Sequence, residues 1–411
     1  MIVVVGIGAG GWDEIPVRHQ QLIRESAVLL GGKRHLDLVP DVPGQRREPW
    51  PSPLREGLPA LLDGIGDAVA LASGDPLVSG IGTTLITLLG RENVRIEPAV
   101  SSVALARARM GWAAETCVVV SLVGRDVSLV ARELAPGRRI LALSADEATP
   151  ASVAILLAKA GFGASTMTVL GELGADTESA RTATASTWTG ESPRLNIVAI
   201  ECAGASLYGW STGLPDEAFE NDGQLTKRDL RASALARLAP APGEHLWDVG
   251  AGAGSVGIEW MRAHPTCTTT AIEGSSERAA RIARNAARLG VPGLSVVEGR
   301  APDALAGLPA PDAIFIGGGA TRPGVLDTCL AALRPGGRLV VHGVTLETEQ
   351  LLARQHAELG GELTRISVES VDAIGTFRGW APQRTVVHWS YSARQHSRGV
   401  DPVSGPEILT D

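Results

Sequence analysis

Short apolar runs alternate with helical patterns along most of the chain. In the first half Ile2–Val5, Ala68–Ala72, Val94–Ile96, Cys117–Leu122, Ile140–Leu143, Thr166–Leu170 and Asn196–Glu201 are rich in β-branched residues and bounded by glycine or polar turns, which predicts strands. Segments between them, such as Ala151–Ala160, predict helices, and the proline-dense stretch Pro40 to Pro53 predicts a loop. From Cys202 to Gly223 no period is sustained, which predicts a domain boundary. A second series follows. It comprises a helix from Thr226, strand Leu246–Val249, a helix to Ala263, a strand to Ile272, helix Ser276–Leu289, strands Leu294–Val297 and Ala313–Ile316, a helix to Leu333, strand Arg338–Val341 and a helix from Glu347. Its βα order predicts a largely parallel sheet covered on both faces. The chain therefore reads as two α/β domains, 1–205 and 223–390, joined by a linker at 206–222 and followed by a polar, mobile tail at 391–411.

Helix 276–289 shows how local chemistry supports the pattern. Ala279, Ile282, Ala283, Ala286 and Leu289 recur at helical spacing, Glu277 suits the positive first turn and Gly290 ends the helix. Arg278, Arg281, Arg284 and Arg288 fall largely on the other faces and read as a solvated surface rather than an RNA-binding stripe.

The segment Leu246-Trp-Asp-Val-Gly-Ala-Gly-Ala-Gly-Ser-Val-Gly-Ile-Glu-Trp260 carries the most chemistry. Gly250, Gly252 and Gly254 let the backbone turn sharply and approach a ligand. Glu273, ending the next strand, can accept both hydroxyls of a ribose. These features describe both S-adenosylmethionine and NAD sites. Asp248 favours the methyl donor, because its charge attracts an ammonium and a sulfonium but repels a pyrophosphate. A similar run, Val3-Val-Val-Gly-Ile-Gly-Ala-Gly-Gly11, lacks the acids and fits a structural turn as well as a ligand loop.

With 44% hydrophobic and 20% charged residues among 411, the composition is that of a globular chain large enough for two cores. A net charge of −8 argues against a general nucleic-acid surface. Cys117, Cys202, Cys267 and Cys329 are dispersed and the eight histidines form no ligand motif, so neither a disulfide framework nor a metal site is expected. No apolar run reaches the roughly 18 residues of a membrane span, and a cytoplasmic location is the expectation.

The first half resembles the tetrapyrrole methylases through Val4-Val-Gly-Ile-Gly-Ala-Gly-Gly11, Leu71-Ala-Ser-Gly-Asp-Pro76, Gly80-Ile-Gly82 and Ser101-Ser102. The second resembles class I methyltransferases acting on precorrins through Asp222-Gly-Gln-Leu-Thr-Lys-Arg228, the 246–260 segment, Ala301-Pro302, Pro311-Asp-Ala-Ile-Phe-Ile-Gly-Gly-Gly319 and Arg334-Pro-Gly-Gly337. In this order they resemble the fused C5,15-methyltransferase (decarboxylating) family of cobalamin biosynthesis. The resemblance implies a two-lobed tetrapyrrole methylase fold followed by a Rossmann-like class I domain. It also implies methylation of two meso carbons of a precorrin, loss of carbon dioxide from an acetate arm by the second half, two S-adenosylmethionine sites and a homo-oligomer. By the same resemblance the donor would touch Thr226, Gly250, Ala251, Gly252, Ala253, Gly254, Glu273 and Ala301 in the second half. In the first it would touch Ala9, Gly74, Asp75, Val78, Ser101 and Ser102, in a cleft between two lobes. Ala9 replaces a common proline, and Arg300 stands where relatives often carry a small or acidic residue.

Methyl transfer to an electron-rich ring carbon needs alignment and no strong base, which fits the absence of nucleophile–base motifs. Lys227 and Arg231, four apart on a helix, are candidates for clasping substrate carboxylates. Glu347 either faces substrate or starts a helix, and His342 reads as a core or rim residue. Rival readings are a methyltransferase acting on RNA or protein, disfavoured by the glycines at 317–319 in place of an amide clamp, and a cofactor-sensing regulatory protein.

Overall fold

The computed structural model describes residues 1–205 and 208–392. The chain forms two compact units, Met1–Ser206 and Leu207–Asp411.

Unit 1 has two sheets. Strands β1 (Ile2–Ile7), β2 (Val28–Gly31), β3 (Arg46–Pro49), β4 (Ala68–Ser73) and β5 (Val94–Glu97) form a parallel sheet in the order β3-β2-β4-β1-β5. Every residue of β1 is buried, as expected of a central parallel strand covered on both faces. Strands β6 (Cys117–Ser121), β7 (Arg139–Leu143), β8 (Thr166–Gly171), β9 (Ser179–Thr184) and β10 (Asn196–Glu201) form the second sheet in the order β6-β7-β10-β8-β9. There β6 and β7 are parallel and the other pairs antiparallel. Three of these strands carry little sequence signal. β2 is only four residues long, β3 lies inside the segment expected to be a loop, and β9 is mostly small, polar and exposed. Both β3 and β9 are edge strands, where a terminal proline and a polar surface are tolerated.

Unit 2 is built on a seven-stranded sheet. Strands β11 (His245–Val249), β12 (Thr268–Glu273), β13 (Ser295–Glu298), β14 (Ala313–Ile316) and β15 (Arg338–Gly343) are parallel. Beyond them come β16 (Glu362–Ile366), the hairpin of β17 (Glu369–Ile374) and β18 (Phe377–Pro382), and β19 (Val386–Ser392). The sheet order is β13-β12-β11-β14-β15-β19-β16, with β19 antiparallel to both neighbours. No strand after position 360 was expected. Tyr391 and Ser392, assigned to the tail from sequence, complete β19; positions 393–411 lie outside the described residues.

The first helix of the unit spans Arg228–Leu238 with Lys227 as its N-cap, two residues later than the pattern predicts. The segment read as a linker packs, where described, into the core: Leu214, Ala218 and Phe219 are buried with Leu235, Leu246, Trp260 and Ile282. Among the described residues no helix is long and apolar enough to cross a membrane, and no cluster of His, Cys, Asp or Glu could hold a metal ion.

Candidate active sites

The carboxyl end of the unit 2 sheet opens into a cavity of about 320 Å³ lined by Val249, Gly250, Ile272, Glu273, Gly274, Ser275, Arg278, Gly299, Arg300, Ala301, Gly318, Gly319 and Arg322. A crevice beyond the strand ends, at the point where chain order reverses between β11 and β14, is where α/β sheets bind ligands. The glycine turn is left-handed at Gly250, Gly252 and Gly254 (φ 71°, 59° and 75°). A Cβ at Gly252 would come 2.7 Å from the carbonyl oxygen of Gln224, and one at Gly254 2.7 Å from Ile282 Cγ2. At Gly318 a Cβ would meet nothing within 4 Å.

Glu273 is fixed by its neighbours. Its Oε2 accepts the Gly252 amide at 2.9 Å and its Oε1 the Ser275 amide at 3.0 Å. A carboxylate has about four acceptor sites, so each oxygen keeps one for a ligand in the cavity. This acceptor set, with open space at the Gly318 backbone, fits a nucleoside with a free ribose diol.

The rest of the expected constellation divides. Gly250, Glu273 and Ala301 reach the cavity. Ala253 is buried in the core beneath the turn, while Ala251 packs against that core. Gly252 and Gly254 shape the turn without lining the cavity. Thr226, half-buried, lends its carbonyl to Arg231 and is not among the lining residues. Arg300, its stem laid over Gly274, is among them.

Asp248 requires a correction as a direct partner of a cationic ligand. It is 1% exposed, off the cavity wall, and its Oδ2 accepts the Gly257 amide at 3.0 Å while Oδ1 has no partner. Burial pushes its carboxyl up to about 7, against the Gly257 hydrogen bond and with help from the nearby Glu273 charge. Its role is to pin the start of helix Ser255–Ala263 behind the turn.

Arg231 is the second correction. Its side chain is fully buried and donates to Glu259 Oε1 at 2.5 Å, to Asp216 Oδ1 at 3.3 Å and to the carbonyls of Leu214 and Thr226. Glu259 also accepts the amides of Gly213 and Leu214 at 2.6 and 2.9 Å. The guanidinium is consumed in holding 213–226 against the sheet. Lys227 is exposed and faces Asp216 at 3.4 Å, so the two cations form no clasp. Glu347 is also exposed, in the first turn of helix Leu346–Leu359 and away from the cavity, where the Glu347 amide and Thr345 hold its carboxyl below the usual range. His342 is buried, its Nε2 3.1 Å from Nδ1 of His388, a residue the sequence did not single out.

The arginines of helix Ser276–Arg288 are not simply solvated either. Arg278 pairs with Asp222 at 2.8 Å, Arg281 with Asp222 and Glu277 at 3.1 and 2.8 Å, and Arg284 with Glu220 at 3.0 Å; Arg288 donates to the Ala218 carbonyl. Asn285, fully buried, bonds both the amide and the carbonyl of Glu220. A ladder of side chains thus fastens 218–222 beside the glycine turn.

Unit 1 has its own cleft, of about 380 Å³, between its two lobes. Ala9, Gly74, Asp75, Val78, Ser101 and Ser102 all line it. Gly6 brings them together: a Cβ there would lie 2.0 Å from the Gly74 carbonyl oxygen and 2.6 Å from the Ala99 nitrogen, so β1, the turn after β4 and the start of helix Ser102–Met110 can touch. Gly74 is left-handed (φ 49°), Asp75 Oδ1 accepts the Leu77 amide at 2.9 Å, and Ser101 caps the helix through the Ala104 amide at 3.2 Å. The wall also carries Arg34, His35, Trp50, Glu172 and Arg194, which the sequence did not identify.

Residues 1–189 match the family described as tetrapyrrole (corrin/porphyrin) methylases, and residues 217–393 the precorrin methyltransferase domain. A precorrin-6Y C(5,15)-methyltransferase [decarboxylating] from Sinorhizobium sp. is 46% identical over 396 residues, covering 95% of this chain and 96% of that protein. Two shorter proteins from Salmonella typhimurium each match part of the chain. A cobalt-precorrin-6B C(15)-methyltransferase (decarboxylating) is 31% identical, covering 39% of this chain and 85% of that protein. A cobalt-precorrin-7 C(5)-methyltransferase is 35% identical, covering 42% of this chain and 84% of that protein. With its similarity to the Sinorhizobium protein running nearly end to end, this chain belongs to the precorrin-6Y C(5,15)-methyltransferase (decarboxylating) family.

Proposed function

We propose that the chain methylates carbons 5 and 15 of precorrin-6B and decarboxylates its acetate arm to give precorrin-8, with one S-adenosylmethionine site in each unit. The observation that carries this reading is the pair of separate cavities, each at a glycine turn in a unit of its own methyltransferase family. The bound donor supplies an electrophilic methyl group. In unit 2, Glu273 would hold the ribose, and the Gly250 and Gly318 backbones would leave room for the donor and the ring. A ring carbon's electron pair forms the new C–C bond as the S–C pair stays on sulfur. In decarboxylation the C–CO2 pair enters the conjugated ring. Neither step demands a strong base, so the protein's task is to align reactants within about 3–3.5 Å and exclude competing geometries.

Two shorter relatives, one named as a C(15)-methyltransferase (decarboxylating) and one as a C(5)-methyltransferase, support assigning decarboxylation with one methylation to unit 2 and the other methylation to unit 1. Four free cysteines suit the reducing cytoplasm. The arginines of helix Ser276–Arg288 are engaged by Asp222, Glu220 and the Ala218 carbonyl within the unit, which weighs against that helix as a nucleic-acid stripe. The β17–β18 hairpin exposes Val371, Ile374, Phe377 and Trp380 on a two-stranded ribbon, which supports a homo-oligomer covering it. Sedimentation of the wild type and of Phe377→Ser with Trp380→Ser checks that assembly; a wild-type monomer overturns it.

The deciding experiment gives the full chain precorrin-6B and labelled donor, and counts methyl groups and carbon dioxide by mass. Two methyls and one carbon dioxide are expected. A product with no added methyl overturns the enzyme reading.

A further inference from the structure

The cleft of unit 1 holds a cation, Arg34, that forms no ion pair with a carboxylate among the described residues. Arg34, on the short helix Lys33–Asp37 after β2, is half-buried in the cleft wall. Its Nη2 lies 2.8 Å from Nε2 of His35 and 3.4 Å from Oγ of Ser73, and Ser73 Oγ is 2.9 Å from the same His35 nitrogen. With Arg34 donating to it, Nε2 of His35 is an acceptor, so the ring is neutral and carries its proton on Nδ1, which is buried without a partner. Burial and the Arg34 charge hold this ring down to about 4. Glu172, from the other lobe, is near enough to act on Arg34 through space, yet no carboxylate among the described residues forms an ion pair with it. Desolvation lowers the Arg34 pKa, the signature of a cation drawn from water without full compensation.

A half-buried guanidinium lining a cavity is costly unless an anion completes it, and its planar fork suits a carboxylate. Ser73 immediately precedes Gly74 and Asp75, so the cation borders the proposed donor side of the cleft. Trp50, partly buried against the core of the first sheet, adds apolar surface to the same wall. We infer that Arg34, oriented by His35 and Ser73, receives one side-chain carboxylate of the tetrapyrrole in the unit 1 cleft and so positions the ring for that unit's methyl transfer. The inference rests on the methyltransferase reading of unit 1.

The test compares the full-length wild type with Arg34→Met and Arg34→Lys, using precorrin-6B and its carboxylate-esterified form. For Arg34→Met the tetrapyrrole concentration needed for the unit 1 methyl should rise about 10- to 100-fold, as for loss of one charge-assisted hydrogen bond. The unit 2 methylation, the carbon dioxide yield and S-adenosylhomocysteine binding should be unchanged. Arg34→Lys should recover part of the loss, and the esterified ring should give equal values for wild type and Arg34→Met. Addition of both methyls by Arg34→Met at wild-type concentrations overturns the inference alone, as does a loss of S-adenosylhomocysteine affinity. A wild type that adds only one methyl removes the reading of unit 1 and the inference with it.

Discussion

Replacing Glu273 gives the sharpest test of the unit 2 site. Each of its oxygens already accepts one backbone amide, from Gly252 and Ser275, and each retains one acceptor site toward the cavity. Glu273→Ala would remove two charge-assisted contacts to a ribose, each worth about 1.5–3 kcal/mol. Allowing for partial replacement by water, the net loss should be about 3 kcal/mol, on the order of 100-fold in affinity. The substitution also leaves the two amides without their acceptor, so stability should fall by about 1–3 kcal/mol. Glu273→Gln, which keeps one carbonyl oxygen in place, separates the effects by losing less affinity. Calorimetric titration of the full chain with S-adenosylhomocysteine should show one class of sites weakened and the unit 1 class unchanged, with unfolding followed in parallel. An unchanged titration would refute the ribose assignment. Equal weakening of both classes would refute the independence of the two cavities, and tighter binding of NAD than of S-adenosylhomocysteine would refute the choice of ligand.

Two further outcomes follow from buried charge. Arg231→Met should leave Glu259 buried without its cation and destabilise unit 2 by about 3–5 kcal/mol, whereas Lys227→Ala, at an exposed pair, should cost under about 1 kcal/mol. Denaturation measures both; equal, small effects would restore Arg231 as a candidate for substrate contact. Burial, with the Arg237 charge adding, holds His342 down to about 4, and burial with the His342 and Arg237 charges holds His388 down to about 3. The unfolded chain therefore takes up protons below about pH 6.5 that the folded chain refuses. Stability contributed by neutral His342 is full above that pH and falls as pH drops toward 4, by about 1.4 kcal/mol per pH unit and about 3 kcal/mol in all. The unfolding free energy between pH 6.5 and 4.5 should decline less steeply in His342→Phe than in the wild type; matching slopes would refute the account.

Legibility followed the strength of local signals. β1 and β14 are runs of buried apolar residues, β11 buries Leu246, Trp247 and Val249, and the glycine turns after them carry a conformational demand visible in the chain itself. β3 and β9 are edge strands whose existence depends on a neighbouring strand, so no period marks them. β16 to β18 gave no expected element because polar residues interrupt their short apolar runs, whereas β19, with Val386, Val387 and Trp389 buried, carried a β-branched and aromatic signal that the sequence reading missed. At the site, Gly250 and Glu273 were readable because each residue type answers a local requirement, a left-handed turn or a paired acceptor at a strand end.

Arg231 and Asp248 show what spacing leaves open. A cation four residues after Lys227 shares a helical face with it, but which way that face turns depends on Glu259, twenty-eight residues later, and on the Leu214 carbonyl. Asp248 ends a strand beside the glycines, yet its carboxylate turns inward because the Gly257 amide lies behind it. In both cases the side chain shapes the site through the backbone it anchors. Arg34 is the converse case: an arginine in an unremarkable Lys-Arg-His run becomes notable only when the fold places it in a cleft where no carboxylate among the described residues forms an ion pair with it. On the proposed reading, ligand contacts would be carried mainly by glycines and a few acceptors at strand ends, while the buried charges of Asp248, Arg231 and Glu259 hold the neighbouring backbone in place. Substitutions in the second group should accordingly lower stability before they change donor affinity, and those in the first should do the reverse.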